Sequence, residues 1–145
     1  MSYRIEVITG ENHDWRGVAF LISDDRKVNA YRFYSGLNVK HVIRRSFNTR
    51  FDQWRDGQPP KKHRYHGWNK PEFKNCFVFK YKRNRLYGFL CNPKSSNPRY
   101  QLCVLIEHAT KNEFESDETN LKYVEEMGAN IAVQSKVETY FKERK

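Results

Sequence analysis

CFVFKYKRNRLYGFLC, residues 76–91, is the stretch whose reading decides the fold. Residues 76–81 and 86–91 are short runs of aromatic and branched side chains. The polar Lys82-Arg83-Asn84-Arg85 between them supplies a turn, so the stretch reads as a β-hairpin. Residues 102–109 (LCVLIEHA) form the most apolar run in the chain and read as a central strand. Together they make a three-stranded antiparallel meander.

Working outward toward the N-terminus, residues 61–71 are polar and basic and read as a loop. Before them, Val39, Ile43, Phe47, Phe51 and Trp54 recur at steps of three and four, with Val42 beside them. This amphipathic helix is capped by Asn38 and stopped by Gly57 and Pro59-Pro60. Ser23-Asp24-Asp25 offers N-cap chemistry for an earlier helix ending at Ser35, with Val28, Tyr31 and one of Phe33 or Tyr34 inward. Gly36 separates the two as a helical hairpin. Residues 3–9 alternate with period two and residues 18–22 are continuously apolar, giving two more strands joined by a turn at Gly10-Glu11-Asn12. Toward the C-terminus, Ser116 or Asp117 caps a helix with Leu121, Val124 and Met127 on its inner face. Gly128 interrupts it, and residues 131–141 form a further helix with Ile131, Val133 or Gln134, and Val137 inward. Strands and helices are segregated, which predicts one α+β domain over residues 1–145: an antiparallel twisted sheet, an N-terminal helical hairpin and a C-terminal helical extension.

The chain has 145 residues, 38% hydrophobic and 15% aromatic, enough for a packed core, and mean hydropathy is −0.94. It shows neither a membrane-spanning run nor the apolar stretch of a signal peptide, so no membrane partner and a cytoplasmic location are expected. Cys76, Cys91 and Cys103 are an odd set without metal-ligand spacing and read as buried thiols. The net charge of +10 is unevenly spread. Residues 26–99 carry nineteen basic and three acidic side chains, whereas both flanking segments are net acidic. A block of that kind repels itself unless an anion neutralises it, and nucleic acid is the first candidate.

The helical hairpin, the basic loop, the hairpin CFVFKYKRNRLYGFL and the run QLCVLIEHATKNEFES leading into a helix resemble the RelE/ParE toxin superfamily, near its HigB-like, phage-derived branch. The resemblance covers residues 24–127. It rests on Arg85 and Tyr87 on the second hairpin strand, and on His108 and Lys111 at the end of the last. It implies a RelE-like toxin of a toxin–antitoxin pair: a basic protein that docks in the ribosomal A site and cuts mRNA without metal or cofactor, silenced by a cognate antitoxin. ParE-type relatives keep the fold and inhibit a protein target instead, so a non-catalytic RNA-binding or protein-inhibiting module is the alternative. The chain departs from the pattern in having no tyrosine soon after Lys111; the nearest aromatic is Phe114.

Cleavage by a ribose 2′-oxygen needs a proton acceptor, positive charge on the phosphate and a donor to the leaving oxygen. His63, His66 and His108 are the acid–base candidates; His108 and His66 join Arg85, Lys111 and Tyr87 in the expected catalytic set. Lys61, Lys62, His63, Arg64, Tyr65, Trp68, Lys82 and Arg83 are the expected RNA contacts, since aromatics interleaved with cations suit unpaired bases and phosphates. Each has a plainer reading: His108 as a structural histidine, Tyr87 as core, Arg83 and Arg85 as edge protection, the 61–66 run as solvated loop. His63 and His66 form HxxH, but no third ligand stands at a telling distance. Nucleotide-cradling and nucleophile-elbow motifs are absent.

Overall fold

A computed structural model describes residues 2–8 and 15–143. Six strands form one sheet: β1 (Tyr3–Val7), β2 (Arg16–Ser23), β3 (Tyr65–Gly67), β4 (Cys76–Tyr81), β5 (Asn84–Cys91) and β6 (Gln101–Thr110). Their order is β1-β2-β6-β5-β4-β3. Every neighbouring pair is antiparallel except β2 and β6, which run parallel from Arg16 opposite Gln101 to Phe20 opposite Leu105. The expected all-antiparallel sheet is therefore corrected to a mixed one within the α+β class. The β3–β6 meander reverses direction at each step, and the helices between β2 and β3 return the chain so that β6 ends up aligned with β2. Both strands are buried on both faces, which is why each reads as a continuous apolar run.

Helices cover both faces. On one side, α1 (Ala30–Ser35) and α2 (Val42–Arg55) bury Tyr34, Phe47, Phe51 and Trp54 against Phe20, Phe77, Phe79, Leu86 and Leu105. On the other, α3 (Glu118–Ala129) and α4 (Ile131–Glu143) bury Leu121, Val124, Met127, Val133 and Val137 against Val78, Tyr87, Phe89, Leu102, Val104 and Ile106. Ile131, expected inward, is exposed. Gly128 does not break α3, which continues to Ala129.

The N-terminal helix is shorter than its sequence suggests. Ser23 Oγ accepts the Asp25 N–H and Asp25 Oδ1 accepts the Lys27 N–H, so the polar cluster closes local turns rather than capping a helix. Likewise Asn38 accepts the Lys40 N–H, and α2 begins later, with His41 Nδ1 accepting from Ile43 N–H. The connection between the helices is thus longer than a tight hairpin. Within the basic loop, β3 adds a short edge strand to β4. The turn expected at Gly10-Glu11-Asn12 lies outside the described residues. Cys76 and Cys103 are buried and Cys91 is half-buried, all as free thiols.

One irregularity sets the geometry of everything beyond it. Leu105 pairs with Gly88, but Glu107 pairs with Tyr87, so Ile106 is an extra residue in β6. Ile106 and Glu107 consequently face the same α3/α4 side, and the alternation of β6 changes phase from there on. Gly88 permits this: a Cβ at this position would collide with the Val104 carbonyl oxygen. Gly88→Ala should destabilise the fold by about 1–3 kcal/mol, the usual range for overpacking. Urea denaturation would check this; an unchanged midpoint would mean the bulge relaxes at no cost.

Candidate nucleic-acid interface

The two strands of the 76–91 hairpin are joined by Lys82 and Arg83 alone, since Tyr81 already pairs with Asn84. Next along the ladder, Lys80 lies directly opposite Arg85. Alternation from Val78 and Tyr87, both in the α3/α4 core, puts Lys80 and Arg85 on that same face, past the end of the core. Two like charges directly opposite across a strand pair are destabilising. Burial, then the neighbouring Arg85, holds the Lys80 ammonium pKa below the ordinary lysine value. The ion pairs within 4.0 Å among the described residues lie elsewhere, Arg55 with Asp52 and Lys122 with Glu118.

Lys80 and Arg85 form the floor of a cleft of about 440 Å³. Lys62 and His63 from the basic loop, Lys82 from the turn, and Lys111 from the end of β6 complete its cationic lining. Its remaining wall is the segment Asn112–Asp117, which contributes Glu113, Phe114, Glu115 and Asp117. The rim is braced by backbone: Lys111 N–H donates to the Arg83 carbonyl at 2.8 Å, and Lys111 Nζ donates to the Ser116 carbonyl at 3.0 Å. Arg85 donates from Nη1 to the carbonyls of Lys82 and Asn84.

His66 projects from β3 beside Val78, on this same face, next to the cleft-lining Lys80, Arg85 and Asp117 but outside the lining itself. Its Nδ1 is 2.8 Å from the Gly67 carbonyl oxygen, which can only accept. In the neutral ring the proton therefore sits on Nδ1 and the lone pair on Nε2. Burial is the main influence lowering the His66 pKa; Lys80 and Arg85 also lower it, while the Gly67 bond and Asp117 oppose. The net effect favours the neutral imidazole, whose Nε2 is then the acceptor nitrogen. Trp68 packs beside it, ring centroids 4.8 Å apart.

Not every expected residue joins this site. His108 pairs with Leu86, on the α1/α2 side, and stacks on Phe33 with centroids 3.6 Å apart and planes 6° from parallel. Its Nε2 lies 2.9 Å from Asn84 Oδ1, and its backbone exchanges hydrogen bonds with the Asn29 side chain. The sheet thus separates His108 from Arg85 and Lys111, and its ring is a packing and bracing group. Tyr87 is fully buried and its hydroxyl donates to Asp117, with burial the first cause raising its pKa. It anchors the start of α3 rather than facing the cleft. Tyr65 is likewise fully buried, its hydroxyl donating to the Gln58 carbonyl, so it cannot stack on a base. Arg64 donates to Gln53 Oε1 at 2.8 Å and fastens the loop to α2. Lys61 and Arg83 are exposed near the cleft without lining it.

Sequence reasoning missed Lys80 and the acidic wall. The signal for Lys80 was available: a two-residue turn centred on Lys82-Arg83 makes 80 and 85 direct partners. Among the described residues no group of three or more His, Cys, Asp or Glu side chains is placed to hold a metal ion, and no helix is long and apolar enough to cross a membrane. Comparison with protein-family models, with curated proteins and with solved structures finds no match to the chain.

Two outcomes follow from these geometries. Burial lowers the His108 pKa to about 4, against the ordinary value of 6.5. Between those values the unfolded chain binds a proton that the folded chain refuses, so stability should fall as pH drops from 6.5 toward 4 and level off below. Melting temperature against pH would show it, and His108→Gln should flatten that limb; an identical slope in the variant would remove His108 as its source. Separately, Lys82 has φ +53°, a left-handed backbone costly for any side chain with a Cβ. Lys82→Gly should raise stability by about 1 kcal/mol while weakening binding of a polyanionic probe such as heparin. Unchanged heparin affinity would take Lys82 out of the anion-binding surface.

Proposed function

We propose that this chain is a RelE-like toxin that binds single-stranded mRNA in the cationic cleft and cleaves it on the ribosome, using the RNA's own 2′-hydroxyl. The observation that carries the reading is the opposed Lys80–Arg85 pair: half-buried like charges without ion-pair partners, ringed by Lys62, Lys82 and Lys111. A phosphodiester seated there would relieve their repulsion and be held by preorganised charge as the phosphorane develops. His66 Nε2 is the fitting acceptor for the 2′-hydroxyl proton, because its other nitrogen is committed to Gly67. His63, exposed in the same cleft, is placed to donate a proton to the leaving 5′-oxygen. The products would be a 2′,3′-cyclic phosphate and a 5′-hydroxyl. An antitoxin silencing the protein would cover this opening.

A second reading, RNA binding without chemistry, is favoured by the withdrawal of Tyr87 and His108 from the cleft. One experiment separates the two. Inducing the protein should arrest growth and generate new mRNA ends on stalled ribosomes. Lys80→Ala with Arg85→Ala should abolish both effects, and His66→Gln should lower cleavage at least about 100-fold, the scale of general-base catalysis, with RNA still bound. Arrest with intact message would select the binding-only reading, and message cut equally by the double variant would refute the cleft as the site.

A further inference from the structure

The cleft has two chemically unlike walls. Lys62, His63, Lys80, Lys82 and Arg85 line one side. The other is the 111–117 segment, where Glu113, Glu115 and Asp117 stand around Phe114, which is 89% exposed. A phosphodiester is attracted to the first wall and repelled by carboxylates on the second. An aromatic ring held out in solvent on the lining shared with Lys62, Lys80, Lys82, Arg85 and Lys111 offers a face for stacking, which tolerates any base. Ionised carboxylates only accept hydrogen bonds. They suit exocyclic amino groups, as on cytosine N4, and are poorly matched to uracil, whose Watson–Crick edge shows two carbonyls and a single N–H.

The segment is also stiffened for such a role. Asn112 N–H donates to Glu115 Oε1 at 3.2 Å, Phe114 N–H donates to Asn112 Oδ1 at 3.0 Å, and Lys111 Nζ holds the Ser116 carbonyl. Glu118 N–H donates to Ser116 Oγ at 3.1 Å, and Asp117 accepts from the buried Tyr87 hydroxyl. The loop is therefore fixed at both ends, to the β4–β5 turn and to the sheet core, while Phe114 projects without cover.

We infer that the 111–117 segment is the base-reading wall of the cleft: a single-stranded RNA lies with its phosphates on Lys80, Lys82 and Arg85 and an unpaired base stacked on Phe114, where Glu113 and Glu115 select bases carrying an amino group over uracil. This rests on the RNA-binding reading above and deepens it by naming the strand's orientation and its base preference.

The test is fluorescence anisotropy with oligocytidylate and oligouridylate of equal length, across a range of salt. The wild-type chain should bind the cytosine strand about fivefold or more tightly than the uracil strand. Phe114→Ala should weaken both about fivefold or more, with the slope against salt unchanged because no phosphate contact is lost, and Phe114→Trp should restore binding. Glu113→Gln with Glu115→Gln should abolish the preference. Lys82→Ala should instead flatten the salt slope by about one and leave the preference intact. If the wild type binds with a steep salt slope but Phe114→Ala matches it, or the preference survives the double Gln change, the inference is overturned and RNA binding stands. If neither strand binds, the RNA-binding reading itself falls, and this inference with it.

Discussion

The bulge between β5 and β6 governs which side chains can meet. Were the ladder regular from Gly88 onward, His108 would lie opposite Arg85 and share its face. The extra residue at Ile106 turns His108 to the α1/α2 side, where it stacks on Phe33, and turns Glu107 toward Asn120 of α3. The driving contact is steric: only glycine at 88 lets the backbone of Val104 come so close. A single missing Cβ thereby decides the composition of a site further along the sheet, because strand faces alternate strictly and one inserted residue inverts everything after it.

The positive charge of the chain divides into two populations with different work. Many arginines are spent on backbone carbonyls. Arg16 holds Trp54, Arg32 grips Ser23, Asp25 and Arg26, Arg44 holds Leu37, and Arg50 holds Ser46 and Lys80. Arg55, buried, donates to Ile8 and pairs with Asp52. The guanidinium suits this, with several donors in a rigid fork and weaker hydration than an ammonium. Around the cleft, Lys62 and Lys82 are exposed to solvent and its anions, Lys80 is half-buried, and Lys111 holds the Ser116 carbonyl. Net charge counted along the sequence is therefore a poor guide to any one surface: the cleft gathers Lys62, Lys80, Lys82, Arg85 and Lys111, but Glu113, Glu115 and Asp117 stand in the same lining.

Much of the fold is legible in the residues. The hairpin at 76–91, the apolar strand at 101–110, the α2 face from Phe47 to Trp54 and the α3 face of Leu121, Val124 and Met127 all follow from spacing alone. The candidate site was legible in part. Arg85, Lys111, Lys62, His63 and Lys82 converge as their positions around one sheet end suggest. Tyr87, Tyr65 and Arg64 read as chemistry but serve packing, because an aromatic or a guanidinium satisfies a buried partner as readily as a ligand. Ser23, Asp25 and Asn38 read as helix caps but close turns, since a short polar side chain bonds nearby N–H groups in either setting.

Local sequence determined which segments are strands and helices and which of their faces are apolar, because period and turn chemistry act over a few neighbouring residues. Tertiary structure alone decided that β2 lies parallel to β6, that His108 and Arg85 are divided by the sheet, and that the acidic, aromatic 112–117 segment stands across from the Lys80–Arg85 pair. Those relations join residues far apart in the chain or hang on the phase of a ladder. They are set by how close two backbones can approach, a quantity that no local pattern of side chains encodes.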